Sequence, residues 1–302
     1  MTTTSATPGI VPSPRRPVLH GLGAALRGIL RTRHGFIGLV LLAFLALVAL
    51  CAPWIAPYGP FQQTPLSLAA PGAGHLFGTD NVGRDIFSMV LYGTRASLAI
   101  GFGAAFAALV VGGSVGILAG YFGGWIEAVL MRVTELFQTL PVVLFVLLAV
   151  ALFGTSFWLL IAAVTLAIWP VEARLVYGQY LKLRDREFVA AARVLDLSTP
   201  HIILREILPN AMQPVIVQVA LDASVAILIE AGLGFLGLSD PNMVSWGQLL
   251  FAAQDFMSQA WWMSVFPGAA ICLAVIAFNL FADGLNEMAD NRRKGPQVGL
   301  ED

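Results

Sequence analysis

Six apolar stretches dominate this chain: residues 36–56, 96–119, 130–152, 155–173, 211–234 and 262–282. Each approaches the roughly 20 residues that a helix needs to cross about 30 Å of hydrocarbon. No water reaches that layer, so backbone N–H and C=O groups must find partners within the protein, and runs this long and apolar do so as helices. The composition agrees. Of the 302 residues 58% are hydrophobic and 12% charged, about half the charged share of an ordinary soluble domain. The expected fold class is an all-α integral membrane protein with six transmembrane helices.

Positive residues orient it, because cytoplasmic loops hold the excess of Lys and Arg. Of the seventeen, five precede the first helix, Arg132 opens the third, and Arg174, Lys182, Arg184, Arg186, Arg193 and Arg205 lie between the fourth and fifth. Arg292, Arg293 and Lys294 follow the sixth, which leaves Arg84 and Arg95 on the far side. Both termini are therefore expected in the cytoplasm. The chain divides into a cytoplasmic tail (1–35), a first span (36–56), an extracytoplasmic loop (57–95), a membrane core (96–285) with a cytoplasmic loop at 174–210, and a C-terminal tail (286–302). The first span is read as uncleaved: its leading region is long, no Ala-x-Ala site follows, and Leu50 stands before Cys51 where a lipoprotein site has a small residue.

A net charge of -1 leaves no basic surface for a nucleic-acid partner. Cys51 and Cys272 sit in apolar runs, where buried thiols acting as small hydrophobes are expected rather than a disulfide or a metal site. Gly112-Gly113-Ser114-Val115-Gly116 spells a nucleophile elbow, but Ser114 lies in mid-helix and all four His lie in tails or loops. Gly232 to Gly237 spells GxGxxG, yet it closes a membrane helix where a dinucleotide site must open one, so flexibility at a helix end is the better reading. No GxxxxGK[ST] phosphate loop occurs, so any ATP energy must arrive through a partner.

The second span carries a small residue at every fourth position: Ala104, Ala108, Gly112, Gly116 and Gly120. Such a stripe admits close approach of another helix, either within the chain or from a partner subunit. Glu135, Asp222, Glu230 and Asp283 are acids within apolar surroundings, where a charge costs about 2.5–3.5 kcal/mol even on lenient scales. Gln218, Asp222 and Glu230 share an arc of about 120° at 100° per residue, a polar face that should look into a bundle or cavity. Glu230 and Asp283 are near enough to helix ends for structural roles. Asp222, the deepest, is a candidate for lining a substrate path, the alternative being an interhelical hydrogen bond made in protonated form.

The segment REFVAAARVLDLSTPHIILREILPN, residues 186–210, has the design of two short helices. Asp185 can cap the first and Glu187 suits its first turn, while Phe188, Ala191, Ala192 and Leu195 recur on one face. Thr199 can cap the second, with Pro200 at its first position and Ile202, Ile203 and Ile207 leading to Leu208-Pro209. A helix with so shallow an apolar face reads as a docking element for another protein rather than as one embedded in lipid.

At these residues the sequence resembles the cytoplasmic loop of ABC-importer permeases, whose pattern is Glu-Ala-Ala, three more residues and Gly, then an Ile-x-Leu-Pro ending. The match runs through Ala190-Ala191-Ala192, Asp196 and Ile207-Leu208-Pro209-Asn210. Ala190 stands where the family has Glu, and Asp196 where it has Gly. Phe77 to Leu98, Leu175 to Arg193, Glu230 to Leu250 and Trp261 to Leu285 narrow the likeness to the second permease subunit of the dipeptide, oligopeptide and nickel group, over about residues 25–293.

That resemblance implies a type I ABC importer permease fold in the prokaryotic cell membrane. It implies a homologous second permease, two ATP-binding subunits that use the ATP and Mg, and an extracytoplasmic substrate-binding protein; this chain itself would hold no cofactor or metal and no ATPase site. The coupling helix would involve Glu187, Phe188, Ala190, Ala191, Ala192, Arg193, Leu195, Asp196, Leu208 and Pro209, and the candidate path Gln218, Asp222, Glu230 and Glu135. The family has a small residue at position 222, so Asp222 suggests a cationic group, such as a peptide amino terminus, in the path. The residues alone also admit a proton-coupled carrier, with the acids as relay, or a structural membrane subunit; within the family, a nickel or other-solute permease is the alternative to a peptide one.

Overall fold

The structure, a computed structural model, describes residues 28–139 and 141–294; most of the N-terminal tail (1–27) and the end of the C-terminal tail (295–302) lie outside the described residues. Helix α1 is Arg33–Ile55 and α2 is Ile86–Phe122. Then come α3 (Gly124–Thr139), α4 (Val142–Phe153) and α5 (Phe157–Leu183). The short α6 (Glu187–Val194) leads to α7 (Thr199–Phe235), and α8 (Trp246–Ala253) to α9 (Trp262–Lys294). Among the described residues five helices are long and apolar enough to span a membrane; the pair α3 and α4, bent by 88°, brings the number to six if it is counted as one broken span.

Three elements depart from the expected outline. The third span is broken: α4 starts after Pro141, whose ring cannot continue a helix from the preceding residue. The second span begins ten residues early, at Ile86, because Asp85 caps it: Oδ2 accepts from Ser88 N at 2.8 Å and Ser88 Oγ at 2.7 Å. The expected second cytoplasmic helix is not separate. Ser198, not Thr199, takes the cap position without a side-chain bond, and the helix runs through a π-helical turn at Ile202–Ile207 straight into the fifth span. Leu208-Pro209 thus lies inside a 37-residue helix. The turn places Leu208 N on Ile203 O, just ahead of Pro209, which has no N–H to give.

Helices α2 and α5 form the central pair. A Cβ on Gly116 would lie 2.5 Å from Ala173 O, and one on Gly120 would lie 2.6 Å from Tyr180 Cβ. The small-residue stripe is therefore an internal seam, and the reading as a partner-facing seam falls. Ala104 and Ala108 continue it fully buried, among Val146, Leu160, Val164 and Trp169. Helix α1 leans on α9 in the same way, through Gly35 and Gly38 against Gly284 and Phe281. Cys272 is exposed on α9 and Cys51 half-buried, so the expected burial of both thiols does not hold.

Candidate functional site

The α6 helix sits at the end that charge marks as cytoplasmic, between α5 and α7. Val189 and Ala192 turn inward and are buried, against Val176, Tyr180, Ile202, Ile203 and Ile207. Tyr180 donates its hydroxyl to Ile203 O at 3.1 Å, fastening α5 to the π turn. Arg184 Nη1 donates to Gly120 O at 3.0 Å and braces α5 against the end of α2. The bundle thus holds α6 from beneath, leaving its outer side open.

That outer side carries three of the four residues the spacing put on one face, Phe188, Ala191 and Leu195, but not Ala192. Phe188, Val194 and Leu195 are exposed, Val194 at 86% and Leu195 at 73%, and Ala190, Ala191, Glu187 and Arg193 are exposed too. Ala192 belongs to the buried face, and Val194 replaces it outside. Asp185 does not cap: Arg186 is the cap residue without a side-chain bond, and Asp185 Oδ2 instead faces Arg184 Nε at 3.6 Å. Leu208 and Pro209 are half-buried within α7.

Asp196 ends α6 in the left-handed conformation, φ 55°. Leu197 N reaches Ala192 O at 3.1 Å and Asp196 N reaches Arg193 O at 3.0 Å, the paired bonds of a Schellman motif. The position that glycine fills in the resembled pattern keeps its backbone shape here, with an aspartate in it.

The four candidate path residues occupy three separate places. Glu135 on α3 is half-exposed, with Arg132 Nη1 at 3.3 Å and Arg174 Nη2 of α5 at 3.7 Å. These three border an open cavity also lined by Glu127, Met131 and Tyr177, and Tyr177 donates to Glu127 Oε1 at 2.5 Å. Gln218 and Asp222 are paired on α7, Nε2 to Oδ1 at 2.8 Å, and Asp222 is buried. Glu230 is also buried and accepts from Ser97 Oγ at 3.2 Å, while Ser97 Oγ accepts from Trp246 N at 3.3 Å. Glu230 thereby joins α7 to α2 and α8. Asp283 is exposed on α9.

A family model described as binding-protein-dependent transport system inner membrane component matches residues 112–295. The chain belongs to that family. A second model, the N-terminal transmembrane domain of oligopeptide transport permease C, matches residues 23–71. The dipeptide transport system permease protein of Alkalihalophilus pseudofirmus is 35% identical over 97% of this chain and 100% of its own. A peptide transport system permease of Brucella suis biovar 1 is 39% identical over 89% of this chain and 91% of its own. Among solved structures, a chain of the inward-facing MetNI methionine ABC transporter superposes with a TM-score of 0.56 at 16% identity, over 66% of this chain and 96% of that one. The chain is a permease subunit of an ABC importer, multi-pass in the inner membrane, and the carrier and structural-subunit alternatives fall away.

In the permease the motif around Gly78 is a folded clasp. Trp262 Nε1 donates to Thr79 O at 3.1 Å, and Gly78, at φ 76°, leaves no room for a side chain beside that indole. Asp80 Oδ1 accepts from Val82 N at 2.9 Å and Arg84 N at 2.7 Å. Burial pushes its carboxyl above the ordinary range, with these N–H groups and the Arg84 charge pulling the other way. The GxGxxG stretch is architectural as well. A Cβ on Gly234 would lie 2.7 Å from the Gly247 backbone, and Gly237 ends α7 at φ 80°.

Sequence reasoning missed one acid. Glu172 on α5 is fully buried, and neither of its oxygens has a hydrogen-bond partner among the described residues. It stands two residues before Arg174, so it reads in the sequence as the edge of the charged cytoplasmic segment. A lone acid closing an otherwise apolar run was the available signal.

Proposed function

We propose that this permease forms half of a translocation path for di- or oligopeptides and is driven by ATP hydrolysed on partner subunits that grip α6. The observation that carries this is the two-sidedness of α6: Val189 and Ala192 lock it to the bundle while Phe188, Val194 and Leu195 face outward with nothing to cover them. An apolar surface of that kind on a short helix outside the membrane fits a groove in another protein. The partners on this reading are a homologous second permease, two ATP-binding subunits and an extracytoplasmic binding protein. The ATP and Mg belong to the ATP-binding subunits. A peptide cargo is supported by the relatives, which are named for dipeptide and peptide transport.

Force on α6 passes into α5 and α7, since both are joined to it through Tyr180 and Ile203. A bundle with two arrangements, biased at one rigid handle, then alternates its opening between the two sides. The Arg132–Glu135–Arg174 group lies on open surface and is the polar cluster best placed to meet a passing peptide; Asp222 and Glu230 face other helices of this chain. Uptake of a labelled dipeptide into vesicles carrying the assembled complex should require ATP and the binding protein and should survive a proton ionophore. Uptake that collapses with the ionophore but persists without ATP overturns the reading.

A further inference from the structure

We propose that the cavity between α3 and α5 binds a short peptide by its two charged ends, with Arg132 and Arg174 taking the carboxylate and Glu127 the amino group. This deepens the peptide reading given above and rests on it. The cavity measures about 950 Å³, in the upper part of the range in which pockets hold small molecules, so a peptide of a few residues fits. It lies toward the cytoplasmic end of the bundle: Gly124, the first residue of α3, lines it, and Arg184 braces the adjoining end of α2.

The charges that line the cavity are two arginines and two glutamates, and they are sorted by position. At one end Glu135 holds both guanidiniums, Arg132 Nη1 at 3.3 Å and Arg174 Nη2 at 3.7 Å. One carboxylate between two arginines leaves this end net positive, with several N–H donors on each guanidinium for a second carboxylate. At the other end the Tyr177 hydroxyl donates to Glu127 Oε1 at 2.5 Å. That bond fixes the carboxylate through one oxygen and leaves the other to accept from an ammonium group. The lining is thus neutral as a whole and dipolar along its length, which complements a molecule that is itself neutral and dipolar better than an ion of either sign.

The spacing of the two ends sets the length of the ligand. Glu127 precedes both Arg132 and Glu135 on the same helix, by a rise of about 7.5 Å to the first and about 12 Å to the second at 1.5 Å per residue. An extended chain covers about 3.3–3.6 Å per residue, so two residues span about 7 Å and three about 10 Å. Between the charged ends the wall is made by Ala128, Met131 and Gly178. A Cβ on Gly178 would meet nothing within 4 Å, and methionine is unbranched and adaptable. The site therefore reads the two ends of a peptide and accepts varied side chains between them.

The test measures binding of radiolabelled dialanine, its N-acetyl derivative and its C-terminal amide to the assembled transporter in lipid nanodiscs, without the binding protein. Blocking either end should weaken binding about tenfold, the value of one charge-assisted hydrogen bond. Glu127→Gln, which still accepts from Tyr177, should weaken dialanine and leave the acetyl derivative as it was, so that the two bind alike. Arg174→Gln should do the same for dialanine and its amide. Gly178→Leu, which places a side chain in the cavity without touching a charge, should abolish binding of all three while the melting temperature holds. Failure of the transporter to retain dialanine, equal binding of the three probes to the parent, or a Glu127→Gln loss shared equally by all three overturns the proposal. ATP-driven uptake by the same preparation with the binding protein added separates this site from the reading beneath it: import of dialanine without end discrimination in binding removes the site and leaves the peptide path standing, whereas no ATP-driven import of any short peptide removes the path and the site with it.

Discussion

The α2–α5 seam and the α6 helix are both built from small residues, and they end in opposite conditions. In the seam, Gly112, Gly116 and Gly120 let two backbones meet, and α5 covers them along the line. In α6, Val189 and Ala192 are covered by the bundle, but Phe188, Val194 and Leu195 are left to the outside. The seam is completed within one chain, whereas among the described residues nothing covers the outer side of α6. Small residues in a membrane protein therefore mark close approach without saying whose helix approaches.

The seam should break first and hardest. Gly116→Val puts two methyl groups where a Cβ alone would already lie 2.5 Å from Ala173 O, so the helices must part. The loss should reach about 3 kcal/mol, the upper end of overpacking costs, and should appear as lost monodispersity and a low melting temperature in detergent. Gly178 on the same α5 helix has nothing within 4 Å of a built Cβ. Gly178→Ala should instead stabilise the subunit by about 0.5–1 kcal/mol, through helix propensity alone. Equal losses in the two variants would dissolve the distinction between a sealed seam and open surface.

The two faces of α6 offer the next contrast. Ala192→Asp buries a carboxylate among Val176, Tyr180 and Ile203 and should cost the subunit roughly 2 kcal/mol. Val194→Asp with Leu195→Asp changes exposed positions, and subunit stability should stay within about 0.5 kcal/mol of the parent. Co-purification of the ATP-binding subunits should nonetheless fall at least tenfold in the double variant. Undiminished co-purification would remove α6 as the docking element.

How much of this could be read from residues alone follows the range of the interactions. The spans, their orientation and the helical nature of 187–194 came from local pattern, which composition and charge carry directly. The outward face of α6 came through at Phe188, Ala191 and Leu195 but not at Ala192, because alanines at positions 190, 191 and 192 give no amphipathic contrast; the packing of Val189 and Ala192 onto Tyr180 and the π turn decides it. The break in the third span was signalled by Pro141 and hidden by the apolar residues on both sides. Asp222 was legible as an anomaly, but the second buried acid, Glu172, fifty residues earlier, is buried only by the packing of α5 into the bundle. Burial of that kind is fixed by tertiary structure and leaves no spacing to find.

The smallest effect concerns two helix ends of the same design. Both α6 and α7 close with Schellman bonds: Leu197 N to Ala192 O at 3.1 Å in one, Leu238 N to Leu233 O at 3.0 Å in the other. Gly237 fills the left-handed position in α7, where a Cβ would press to 3.0 Å from Phe251; Asp196 fills it in α6, on an exposed turn. Asp196→Gly removes the strain of a side chain at φ 55° but adds freedom to the unfolded chain, and aspartate is among the residues that tolerate this region best. The two terms oppose, and the melting temperature of the isolated subunit should move by no more than about 0.5 kcal/mol in equivalent stability. The ATPase rate of the assembled complex is the sharper reading. If the backbone shape is all that α6 contributes at this position, Asp196→Gly leaves the rate unchanged, and a severalfold fall with intact stability would instead show that the carboxylate itself touches the partner.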